Sequence, residues 1–208
     1  MGFRVILGLT VLVVTCRAAS PGITTAECRD RIGAAVLIRL VRGNLPARVE
    51  FRAEAVAEKI LRPAGIHLRW STSEFPPDLR QCASLVVVVE VGGRIPAGPH
   101  DVWSFATPYA STGSRIHIFW DRIASGCQKE LWGHVLGHVF AHEITHVLEG
   151  LARHSDEGLM KPHWRRADLY GMTYRPIPLT ADDIDLIHRG LAALRETATA
   201  DSGPITGH

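Results

Sequence analysis

The chain has 208 residues, enough for one domain that buries its own core without help from cross-links. Hydrophobic residues make up 46% and charged residues 21%, with no low-complexity tract, which sets it apart from disordered chains. Lys and Arg number 23 against 21 Asp and Glu and are spread along the sequence, so the charge makes no case for nucleic acid or an acidic membrane surface as a partner.

Arg4, the apolar run Val5 to Val14 and the small residues Ala18, Ala19 and Ser20 follow the order of a secretory signal peptide. Residues 1–20 are therefore set apart from the fold, and the mature protein is expected to be secreted or periplasmic. The run is too short to span a membrane. A lipid anchor at Cys16 is the alternative, although Val13-Val14-Thr15 lacks the small residue such a site prefers. Removal of the segment leaves Cys28, Cys82 and Cys127 in an oxidising compartment, where one disulfide and one free thiol are the simplest outcome.

Ala34 to Val41 reads as a strand between Gly33 and Gly43-Asn44. Pro46 opens a helix whose buried face is Val49, Ala53, Val56 and Ile60, and Pro63 ends it at or before Arg62. Ile66 to Trp70 is a second strand. After the loop at Phe75-Pro76-Pro77, the uniformly apolar Leu85 to Val91 predicts a central strand covered on both faces and stopped by Gly92-Gly93. Val102 to Thr107 and Arg115 to Trp120 predict a hairpin around Ser111 to Ser114. A long helix is expected from about Gln128 to Glu149, then an irregular segment to Leu179. Thr180 and Asp183 open a last helix buried through Ile184, Ile187, Leu191 and Leu194. Residues 198–208 read as a flexible tail. The order predicts an α/β (α+β) fold with helices against one mixed sheet.

The long helix carries His142-Glu143-Ile144-Thr145-His146, an H-E-x-x-H pattern. Residues four apart share one helix face, so both imidazoles can meet one metal ion. Glu143 falls beside the pair, where it can take the proton of a water at the metal as general base. Leu131, Trp132, Val135, Leu136, Val139, Phe140, Val147 and Leu148 form a buried stripe. Ser125 and Gln128 have capping-box spacing ahead of it, and Gly150 supplies a left-handed stop. The chain can then bend to return His154 as third ligand. The competing reading is a polar helix face that happens to hold a Glu; the caps and the following His weigh against it. His134 and His138 continue the four-residue step with no Glu after either, and are read as structural, solvent-facing or supporting the ligands from behind.

These features resemble the metzincin group of zinc peptidases over roughly Thr24 to Leu194: a five-stranded sheet, one early helix, an active-site helix and a closing helix. His154-Ser155-Asp156-Glu157-Gly158-Leu159-Met160 is similar to the matrixin pattern, in which Ser follows the third histidine and a Leu-Met closes a turn under the metal. Met160 matches that methionine, and Lys161-Pro162 is similar as well. The spacing departs from H-E-x-x-H-x-x-G-x-x-H, because three residues rather than two separate His146 from Gly150 and Gly150 from His154. A divergent branch is implied, with His163, Glu157 and Asp156 as reserves for the third ligand.

The resemblance implies a zincin-like domain over residues 21–197 with a mixed, twisted five-stranded sheet. It implies one catalytic Zn2+ on His142, His146 and His154, with Glu143 as general base. Val102, Trp103, Ser104 and Phe105 would form the edge strand to which a peptide adds. It also implies a Cys28–Cys82 disulfide, since both residues precede strands that run parallel and adjacent in such a sheet, with Cys127 left free. The expected function is a secreted zinc metalloendopeptidase acting on peptide or protein substrates. A zincin-fold module that binds peptide or cell-wall material without cutting is the other reading, against which the presence of Glu143 counts.

Overall fold

The computed structural model describes residues 34–92, 102–108 and 113–200. The expected signal segment, Cys16, Cys28 and residues 201–208 lie outside them. Five strands form one sheet: β1 (Ala34–Val41), β2 (Ile66–Ser71), β3 (Leu85–Val91), β4 (Ser104–Thr107) and β5 (Ser114–Ile118), in the order β2-β1-β3-β5-β4. All neighbours are parallel except β4, which runs antiparallel to β5 and forms one edge. β3 is the middle strand, as expected, its Val87 opposite Ile38 of β1 on one side and Ser114 of β5 on the other.

Six helices accompany the sheet among the described residues: α1 (Ala47–Leu61), α2 (Pro77–Cys82), α3 (Trp120–Gly126), α4 (Trp132–Glu149), α5 (Arg166–Gly171) and α6 (Ala181–Ala200). The core forms where α1 and α4 pack together with Val36, Ile38, Leu40, Val87, Val89, Ile116 and Ile118 of the sheet. Side chains such as Phe140, Leu136 and Leu148 of α4 are fully buried there, each contributing about 1.5–3 kcal/mol. Glycines allow the close approach of α1 and α4. A Cβ on Gly137 would stand 2.6 Å from the Val56 Cβ and 2.7 Å from the Ala53 carbonyl oxygen, and one on Gly133 would meet Arg52 at 2.6 Å.

β1, the start and end of α1, β2, β3 and the capped start of α6 agree with the sequence reading. Thr180 and Asp183 exchange the two expected capping bonds, at 2.9 and 3.1 Å. Other expectations are corrected. β3 is closed on one face only: Val87, Val89 and Val91 are buried, while Glu90 on the other face is partly exposed and pairs with Arg115 and His117. The capping box at Ser125 and Gln128 does not form. Ser125 donates back to the Asp121 carbonyl within α3, and α4 starts at Trp132 after a 3-10 turn, with no side-chain cap. The extended arm ends at Ile118 rather than Trp120, because burying Trp120 edge-on against Trp132 requires a helical turn there. Pro77 begins a helix where a loop was expected, being suited to a first helical position. α5 interrupts the segment expected to be irregular, and α6 runs on to Ala200, three residues into the expected tail.

Cys82 is disulfide-bonded and Cys127 is free. The Cys127 thiol donates to the Ile123 carbonyl, and burial pushes its pKa up to about 11, which keeps it protonated and unreactive. No helix among the described residues is long and apolar enough to cross a membrane.

Candidate active site

The last turns of α4 are buried to Glu149, and Gly150 ends the helix in the left-handed region at φ 67°, its N–H bonding the His146 carbonyl. His142 and His146 project from these turns into a cleft of about 580 Å³. Their Nε2 atoms lie 3.1 Å apart. Each Nδ1 is turned onto a main-chain carbonyl, His142 onto Leu159 at 3.1 Å and His146 onto Leu151 at 3.0 Å. A carbonyl only accepts, so both Nδ1 atoms carry the proton and both Nε2 atoms present lone pairs. Two lone pairs at that separation repel unless a cation lies between them.

His154 completes the group. Its ring centroid is 5.3 Å from that of His142 and 5.0 Å from that of His146, and one ligand nitrogen from each of the three lies within 4.8 Å of the others. Burial, then the neighbouring His146, pushes the His142 pKa down to about 3. Burial also lowers His146 and His154 below their ordinary value. All three are thus neutral at physiological pH, the state a metal requires of its ligands. Three neutral imidazoles at this spacing could hold one metal ion with a coordination position left open to the cleft. Among the described residues no other group of His, Cys, Asp or Glu has this geometry.

Glu143 lies next to the histidines and is buried. Burial pushes its pKa up to about 7, against the lowering effect of Ser104, whose hydroxyl donates to Oε1 at 2.7 Å. Ser104 comes from the edge strand β4, so that strand lies directly over the carboxylate. The edge residues need one correction: of the four expected, only Ser104 and Phe105 belong to the strand. Val102 and Trp103 precede it with carbonyls already engaged, by Arg122 at 2.6 Å and by the Phe119 N–H at 2.9 Å.

Of the reserve ligands, His163 lines the same cleft, while Asp156 and Glu157 are exposed and outside the histidine group. Met160 is fully buried in the core, its carbonyl accepting the Ser155 N–H at 2.9 Å. His138 is structural, as expected. It bonds the His134 carbonyl through Nδ1 and accepts the Ile177 N–H at Nε2, at 2.7 and 3.0 Å. Sequence reasoning missed the two carbonyls that orient the histidines and Trp164, which stands edge-on to both His138 and His142. None of these has a local sequence signal, because carbonyls are common to all residues and Trp164 lies far along the chain.

Compared with known protein families and with curated proteins, the chain matches none.

Proposed function

We propose that the protein is a secreted zinc metallopeptidase, a divergent relative of the metzincins. The observation that carries the reading is the convergence of His142, His146 and His154 beside the buried Glu143, in a cleft roofed by an open sheet edge. The mixed sheet, the helix order and the His154 to Met160 segment support the metzincin relation. The disulfide at Cys82 supports an oxidising compartment.

His142, His146 and His154 would hold the zinc, which would supply a Lewis acid able to polarise a peptide carbonyl and make water more acidic. The chain's own residues do the rest. The free edge of β4 pairs with an extended peptide through main-chain hydrogen bonds, which gives affinity with limited sequence selection. Glu143 takes the proton of the attacking water and returns it to the leaving amine. Ser104 occupies Oε1, so the proton is carried on Oε2.

The test compares the wild-type chain with Glu143→Gln at matched zinc content on a mixed peptide pool. One zinc per chain is expected in both, with cleavage slower in the variant by about a hundred to ten-thousand-fold and peptide binding retained. Wild type without stoichiometric zinc, or equal cleavage by both proteins, overturns the reading. Tight peptide binding with no cleavage by wild type would instead assign a binding module.

A further inference from the structure

His154 differs from the other two histidines in what holds it. Their rings are fixed by carbonyls at Nδ1. His154 is exposed, and no ring hydrogen bond orients it among the described residues. It also ends a connection longer than the metzincin spacing by one residue on each side of Gly150. Its position must then come from the main chain on either side. On the C-terminal side, Ser155 is pinned by its N–H to the Met160 carbonyl and by its hydroxyl to the Glu157 carbonyl, at 2.9 and 2.7 Å.

On the N-terminal side the anchor is Arg153. Its Nη2 meets Asp183 Oδ1 of α6 at 2.5 Å, and its Nε lies 3.5 Å from Glu149 Oε2 at the end of α4. Both carboxylate side chains are fully buried, and neither oxygen of Glu149 has a hydrogen-bond partner. The guanidinium is therefore the cation that both acids face, and its planar fork offers separate N–H donors to two carboxylates in a fixed geometry, where an ammonium is a flexible point charge. The helices are locked together at this point, since a Cβ on Gly190 of α6 would run into the Leu148 carbonyl oxygen of α4.

We propose that Arg153 is a positioning residue for the metal: by spanning Glu149 and Asp183 it fixes the loop that presents His154, which makes helix α6 part of the apparatus that sets metal affinity. The proposal rests on the reading of the three histidines as a zinc site.

Arg153→Ala would strand two buried carboxylates and threatens folding, so Arg153→Lys and Asp183→Asn are the variants of choice. The amide of Asn keeps an oxygen for the Thr180 cap. Zinc affinity of the full chain is measured by competition with a chromophoric chelator, beside urea unfolding of the metal-free proteins. Each variant is expected to bind zinc about 10–100-fold more weakly, the usual effect of losing a group that orients a ligand. In a His154→Ala background, Asp183→Asn should weaken binding no further, because its effect runs through His154. Should Arg153→Lys fail to fold, the two Asp183→Asn measurements decide. Stoichiometric zinc in wild type with unchanged affinity in the variants overturns the proposal alone, as does an equal loss with and without His154. A wild type that binds no zinc removes the metal site and the proposal together.

Discussion

Glu143 has two oxygens, and Ser104 holds one of them at 2.7 Å. A hydrogen bond to a charged group contributes about 1.5–3 kcal/mol, so loss of the hydroxyl frees the carboxylate to rotate away from its productive direction. Ser104→Ala is expected to lower kcat on a cleaved peptide by roughly ten-fold or more with KM little changed, and Ser104→Thr to restore most of it. An unchanged kcat at matched zinc content would show that Glu143 is held by its burial alone. The three residues of the H-E-x-x-H pattern that meet at the site were legible in the sequence because helix geometry relates them locally. Ser104 was legible only as part of an edge. Its bond to Glu143 crosses 39 residues, and no periodicity in the chain connects a strand to the helix beneath it.

The contact between α1 and α4 shows what amphipathic patterning misses among helices. Val49, Ala53, Val56 and Ile60 marked the buried face of α1, but Gly133 and Gly137 in α4 gave no apolar signal, although they set how closely the helices approach. In an open helix, Gly to Ala stabilises by up to about 1 kcal/mol. At Gly137 the added methyl meets both a side chain and a carbonyl oxygen inside contact distance, and overpacking of this kind typically costs about 1–3 kcal/mol. Gly137→Ala is therefore expected to lower the urea midpoint. Gly171→Ala in α5, where nothing lies within 4 Å of the new Cβ, should leave the midpoint unchanged or raise it. Equal responses would mean that α1 and α4 can separate at little cost. The short helices α2, α3 and α5 were missed for a related reason: each is six or seven residues long, too short to show a helical period; α2 starts on Pro77, while α3 and α5 bury only Trp120, Ile123 and Leu169.

Across the whole molecule, the succession of strands and of the three long helices was readable from runs and breakers, as were the β4–β5 pairing and the central place of β3, whereas the full order β2-β1-β3-β5-β4 was not, because the parallel crossovers leave no local pattern. One buried group joins distant parts: His138 of α4 receives the Ile177 N–H from the stretch leading into α6. Burial pushes its pKa down to about 4 from the ordinary 6.5. Between these values the unfolded chain binds a proton that the folded chain refuses, so stability present above pH 6.5 drains away as pH falls towards 4. The contribution is roughly 3 kcal/mol. Urea unfolding followed over this range should show a steeper pH dependence in wild type than in His138→Leu; parallel curves would rule out a linked proton at this position.

The three histidines of the proposed metal site lie close together in the sequence, between residues 142 and 154, whereas the sheet joins strands through long crossovers. Closing so short a loop costs little entropy, which means that the unfolded chain can also gather its histidines around an ion. Metal binding to the denatured ensemble subtracts from the stabilisation that the folded site would otherwise confer. Excess zinc should accordingly raise the melting temperature by less than the native affinity alone implies. Zinc can be captured while the chain is still largely unfolded, but Glu143 gains its partner only when β4 closes over the helix.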